Sequence, residues 1–386
     1  MRTARRAAEI QPFEVMDVLA RAHELERAGR RVVHMEIGEP DFSAPAPVVE
    51  AGVRALRDGR TAYTATLGLP ELREAIAAHY LKRFERKIDA GRVVVTSGAS
   101  GGLLTVAALY VDAGDEVLVP DPGYPGYRHF VRAFEGRAVP LAVSAAQNFQ
   151  PTLAMVRAAW TGRSKGLILG SPSNPTGTLI ARKELHAIAD FIAERAGVLI
   201  VDEIYQGLVY GADPWSGLGL PGEVVIVNSF SKYFCMTGWR LGWVVLPPAA
   251  VRGFEKLAQH LFISAPSAAQ HAACAAFSAD SISILEERRA EFARRRDFLL
   301  PELRKAGLTI PAEPRGAFYV YADCGRAARG FCLELLEKEA VAATPGVDFG
   351  ANGTARFARF AYTRAMADLE EAAERIRRFA GAAPSA

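Results

Sequence analysis

Lys232 closes the segment Asn228-Ser229-Phe230-Ser231-Lys232, and Gly238-Trp239-Arg240 follows it closely. A lysine amine can condense with a carbonyl, while serine hydroxyls beside a guanidinium suit a phosphate better than any apolar group. The run over 223–227 has the length and β-branched content of a buried strand, so Lys232 lies just past its carboxyl end, where open α/β sheets bind ligands. A surface loop with ordinary solvated charges would read the same way, so the chemistry needs partners elsewhere in the chain.

Other strand ends offer them. The turn Thr96-Ser97-Gly98-Ala99-Ser100-Gly101-Gly102 follows one strand and opens a helix, letting backbone N–H groups approach an anion at the helix's positive end. A tight structural connection is the alternative. Prolines and glycines stiffen the stretch from Pro120 to Tyr127, where Tyr124 can hold a ring against a planar ligand or simply pack. Asn174 precedes Pro175, which holds it away from helical geometry, and its side chain can donate to a phenolate oxygen. Asp202 emerges from the apolar run 198–201, with Tyr205 just beyond. A buried carboxylate requires a partner: a protonated pyridine nitrogen, an arginine from the core, or the amides of a following helix.

The elements that position these residues alternate between strands (92–96, 116–120, 166–169, 197–201, 223–227 and 241–246) and helices (70–83, 101–111, 181–195 and 249–262). Such alternation predicts an α/β fold, a large domain with a mostly parallel sheet flanked by helices. From about 281 the texture changes to a charged helix (282–305), a short strand (317–321) and helices over 326–340 and 365–380. Residues 43–280 are expected to form the large domain, and 1–42 with 281–386 a smaller α/β domain. An amphipathic helix is expected over 13–28, and a frayed tail after Phe379.

Composition narrows the function. The 386 residues carry 46 Lys plus Arg against 43 Asp plus Glu, a net charge of +3, too small for a nucleic-acid footprint or an anionic membrane surface. Only eight of the basic residues are lysines, so a lysine at a strand end carries more information than an arginine. Cys235, Cys274, Cys324 and Cys332 form no CxxC pair and no His/Cys ligand pattern, which argues against a disulfide framework and a metal site and for a reducing cytoplasm. No signal peptide is read in the basic start, and no apolar run approaches the ~18 residues that span a bilayer.

Taken together, the chain resembles the fold type I pyridoxal-phosphate-dependent aminotransferases of class I and II over about residues 10–380. The carrying motifs are 37–42, Tyr63 ahead of 68–73, Asn174 to Gly177, Asp202 with Tyr205, and Ser229 through Lys232 to Arg240. The resemblance implies transamination between an L-amino acid and a 2-oxo acid, with pyridoxal 5'-phosphate held as an aldimine by Lys232 and carried through a pyridoxamine phosphate intermediate. It implies that Asp202 pairs with the pyridine nitrogen, that Asn174 and Tyr205 hold the phenolic oxygen, and that Tyr124 packs on the ring. Ala99, Ser100, Ser229 and Arg240 would bind the phosphate, with Ser231 a lesser contact, and Tyr63 would reach the phosphate of a second subunit in a homodimer. Arg359 would clamp the substrate α-carboxylate with help from the backbone of Gly38; Arg356 is the rival. Two departures from the family pattern are Cys235, for which only packing is expected, and Ser100, which stands where an aspartate-specific branch carries lysine. A carbon–sulfur β-lyase would use the same lysine and aspartate, a non-catalytic cofactor-binding regulatory module is a further alternative, and a nicotinamide enzyme is disfavoured by the missing GxGxxG.

Overall fold

The computed structural model describes residues 3–381, so the end of the expected tail, from 382, lies outside the described residues. Its centre is a sheet in the spatial order Val93–Thr96, Gly242–Val245, Glu223–Ser229, Val198–Asp202, Ser164–Gly170, Glu116–Asp121, Arg137–Ala142. Neighbours pair in parallel from Glu223–Ser229 outward to Arg137–Ala142. The strand expected over 241–246 is the exception, antiparallel to both its neighbours. The connection that precedes it, 230–241, holds only a short 3-10 turn (Thr237–Trp239), no crossover helix, so the chain returns beside the strand it has left. Arg137–Ala142 was not anticipated, because it is an edge strand, mostly half-buried or exposed, with no continuous apolar run to announce it.

Successive residues of the central strands feed two different cores. Leu199 and Val201 join the larger cluster on one face, and Val198 and Ile200 the cluster on the other, so both faces are covered and the strands read as unbroken apolar runs. Helices Gly98–Tyr110, Arg182–Ala193 and Pro248–Leu261 follow strands as expected, and Pro70–Phe84 places its proline in the first turn, where a missing N–H costs nothing.

Beyond the long helix Ala279–Lys305, Thr344–Pro345, Phe357–Ala361 and Tyr319–Asp323 make a small antiparallel sheet. The expected strand at 317–321 begins two residues late, because Ala317 sits at φ +58 and turns its N–H toward Leu208 O. Val33–His34 pairs in parallel with Val341–Ala342, joining the N-terminal stretch to the C-terminal region. Among the described residues no helix is long and apolar enough to cross a membrane.

Candidate active site

The carboxyl ends of the parallel strands open on a cavity of about 220 Å³. Its wall includes Gly38, Ala99, Ser100, Tyr124, Asn174, Asp202, Tyr205, Ser229, Ser231, Lys232 and Arg240, which are 11 of the positions singled out from sequence. Residues remote in sequence meet there, as in the 2.6 Å hydrogen bond from Lys232 Nζ to Gly38 O across 194 positions. Burial, with Arg359 adding like charge, pulls the Lys232 ammonium down to about 8, so a substantial neutral fraction exists near physiological pH.

Asp202 shares the strand face of Val198 and Ile200 by the two-residue period, and Tyr127 belongs to that same core. Its Oδ2 accepts from the Tyr127 hydroxyl at 2.8 Å and its Oδ1 from Ile204 N at 3.1 Å. Of the alternative partners, the amide is present, although Ile204 belongs to a turn instead of a helix, and among the described residues no arginine pairs with this carboxylate. Burial raises its pKa to about 6, against the pull of the Tyr127 and Ile204 hydrogen bonds and the Lys232 charge. Glu203, one residue on, takes the opposite face, where Ser216 Oγ (2.9 Å) and Gly217 N (2.7 Å) donate to it; burial pushes it up to about 8. The two adjacent acids thus diverge, and only Asp202 looks into the cavity.

A corner suited to an anion lies at the start of Gly98–Tyr110. Ser97 forms no side-chain cap there, leaving first-turn amides free. Arg240 lies against this end, so close that a Cβ on Gly98 would stand 2.6 Å from its Nη2, and Gly242 admits Ala99 N where a Cβ would meet it at 2.7 Å. Ser229 and Ser231 line the same cavity, with Ser231 N donating to Ser229 Oγ at 3.0 Å. At the other end the hydroxyls of Tyr205 and Tyr319 are 2.8 Å apart.

Arg359 stands just behind this wall, 5% exposed, with Nη1 donating to Asn174 Oδ1 (2.9 Å) and Nη2 to Glu36 O (2.5 Å). Its guanidinium carbon lies 4.3 Å from the Tyr319 ring centroid, and its buried Nε has no partner. Arg356, by contrast, has a side chain 60% exposed and pairs with Asp323. Position along the chain explains this: Arg359 falls within the strand Phe357–Ala361, buried from 358 to 361, while Arg356 ends the turn that precedes it. Tyr63 does not join the cavity of this chain; it is 79% exposed.

Sequence reasoning passed over Tyr127 and Tyr319. Tyr127 stands three residues from Tyr124 in the same glycine-proline turn, which was a usable signal; Tyr319, in a remote strand, had none. Cys235 is buried in the core at φ +55, in keeping with packing. Its Sγ and those of the other cysteines are unpaired, and no group of acidic, His and Cys side chains suits a metal among the described residues.

This donor set suits a planar, phosphate-bearing aldehyde with a basic ring nitrogen. A lysine amine can condense with a carbonyl, a buried carboxylate can pair with a cation, and amides beside a guanidinium can accept an anion. The family profile described as Aminotransferase class I and II matches residues 30–376. A valine–pyruvate aminotransferase of Mycobacterium tuberculosis is 39% identical, with 96% of each chain covered. A (5-formylfuran-3-yl)methyl phosphate transaminase of Methanocaldococcus jannaschii is 36% identical, over 97% of this chain and 99% of the relative. Among solved structures, an aminotransferase from M. tuberculosis superposes with a TM-score of 0.95 at 38% identity, covering 99% of this chain and all of that one. The Thermus thermophilus aspartate aminotransferase with maleate reaches 0.93 at 34%, covering 98% of this chain and all of that one.

Proposed function

The chain belongs to the class I and II aminotransferases and is a pyridoxal-phosphate-dependent transaminase acting on amino acids and 2-oxo acids, and on that premise we propose how its residues divide the work. When bound, pyridoxal phosphate supplies a carbonyl that captures amines and a protonated ring that draws electron density from the substrate α-carbon. Lys232 would hold the carbonyl end and, once an incoming amine displaces it, take the α-proton on Nζ; its depressed pKa supports both roles. Asp202 would keep the ring nitrogen protonated, with Tyr127 fixing the carboxylate. Asn174 and Tyr205 would hold the ring oxygen and Tyr124 the ring face. Ala99, Ser100, Ser229, Ser231 and Arg240 would bind the phosphate. Arg359 would clamp the α-carboxylate, which the partnerless buried Nε supports, with Gly38 lining the same end.

The observation that carries this reading is the convergence of Lys232, Asp202 and Arg240 on one cavity. To test it, the yellow protein is titrated with amino acids while its absorbance is followed. Bleaching that a 2-oxo acid reverses supports the reading; pyruvate and ammonia released without an amino acceptor would indicate β-elimination instead.

We also propose a homodimer with shared sites, in the cytoplasm and in amino-acid metabolism. Tyr63, exposed beside a helix (Ala46–Arg57) that leaves Val49, Val53 and Leu56 on its surface, supports the first, and four unpaired cysteines the second. The pairing of Val33–His34 with Val341–Ala342 supports a smaller domain made of 1–42 and 281–386 beside a larger one of 43–280. Sedimentation showing a monomer that retains full activity would remove the shared site.

A further inference from the structure

Residues 35–38 form a backbone platform under both cations of the site. Ala361 N donates to Met35 O (2.7 Å), Arg359 Nη2 and Thr344 Oγ1 to Glu36 O (2.5 and 3.0 Å), and Lys232 Nζ to Gly38 O (2.6 Å). The direction of the Arg359 guanidinium therefore depends on where the carbonyl of Glu36 lies. The Glu36 side chain is fully buried, and its Oε2 has no partner; its Oε1 meets His34 Nδ1 at 2.7 Å. The other ring nitrogen of His34, Nε2, meets Glu26 Oε1 at 3.0 Å on the helix Glu14–Arg27.

A neutral imidazole carries one N–H, so with a carboxylate on each nitrogen one of the two contacts would set lone pair against lone pair. Only the imidazolium donates to both. We propose that His34, clamped as a cation between Glu26 and Glu36, is a positioning residue that sets the Glu36 carbonyl and through it Arg359 for the substrate carboxylate. This rests on the role proposed for Arg359 above.

The groups that face His34 are consistent with a cation there. Glu36 lies on its own segment and Glu26 on the packed helix, with the His23 ring 6.0 Å away. Arg364 Nε reaches only the His34 carbonyl (3.3 Å). On the helix Met366–Gly381, Asp368 and Glu371 are engaged by Arg31, and Arg375 donates to backbone carbonyls and Glu371. Hydrogen bonding to Glu36 raises the His34 pKa above its ordinary value. A raised histidine pKa means that the clamp is whole at lower pH and is lost as pH rises through the folded-state value.

The experiment compares cofactor-loaded wild type with His34→Gln, using the protein amino acid of highest turnover as donor, from about pH 6 to 9. Wild-type KM is expected to rise about tenfold across the His34 titration while kcat changes less than about threefold; His34→Gln should show the high KM throughout. The His34 ring resonances should titrate above the ordinary imidazole range and fall toward it in Glu36→Gln. A His34→Leu/Glu36→Leu double variant, which leaves no buried charge unpaired, guards against misfolding and should match His34→Gln in KM. Superimposable KM profiles for wild type and His34→Gln, or a lowered Tm with unchanged KM, would overturn the proposal. Arg359→Lys separates the two readings: if it leaves KM intact, the Arg359 role fails; if it raises KM while His34→Gln does not, only the clamp fails.

Discussion

The Tyr127 hydroxyl donates to Asp202 Oδ2 at 2.8 Å between two buried side chains 75 residues apart in sequence. This bond favours the ionised form of a carboxylate that burial would otherwise neutralise.

Tyr127→Phe should therefore raise the Asp202 pKa further and lower kcat by about tenfold, as expected for losing one hydrogen bond to a charged group. The acid limb of the kcat/KM profile should move to higher pH, because more alkali is then needed to ionise Asp202. An unmoved limb in the pH–rate profile would refute the link.

Asp202→Asn keeps the shape but removes the charge. Cofactor binding should persist, read by absorbance, while kcat falls about 100-fold or more, because a neutral ring draws electrons poorly. Near-normal kinetics would count against the assignment.

Lys232→Ala should abolish repeated turnover with the circular dichroism spectrum preserved. In the wild-type protein, cofactor uptake should accelerate as pH rises through about 8, where the buried ammonium gives up its proton. Stopped-flow absorbance measures this, and a flat profile would show that the amine is not limiting.

At Gly38 a Cβ would fall 1.8 Å from Tyr319 Oη. Gly38→Ala must push Tyr319 or the platform aside, lowering stability by about 1–3 kcal/mol and raising the substrate KM. Thermal melts and steady-state kinetics on the same preparation give both numbers; an unchanged Tm would mean that the loop yields freely.

Arg359→Lys should raise KM for the amino donor by about 100-fold, since a lysine cannot reproduce the two-pronged grip on a carboxylate. Arg356→Ala, at an exposed ion pair, should change KM less than about twofold. The reverse pattern would exchange their roles.

Strand ends were legible in the sequence because each buried strand is a short apolar run, and whatever polar residue follows it marks the rim: Thr96, Asp202 and Ser229 all read this way. Edges were not. Arg137–Ala142 lacks the apolar run, and the direction of Gly242–Val245 follows from a connection without a crossover helix, which periodicity alone does not reveal.

Local chemistry and order along the chain were enough to single out the lysine, the carboxylate and the phosphate corner as candidates and to point to the cofactor, because each is written in a few adjacent residues that a strand end presents together. The burial of Arg359 against the exposure of Arg356, the Tyr127 bond to Asp202, and the platform that joins His34, Glu36 and Arg359 needed the tertiary structure. These relationships link residues as much as 323 positions apart, and which side chains end up facing each other across such spans is decided by sheet order and helix packing.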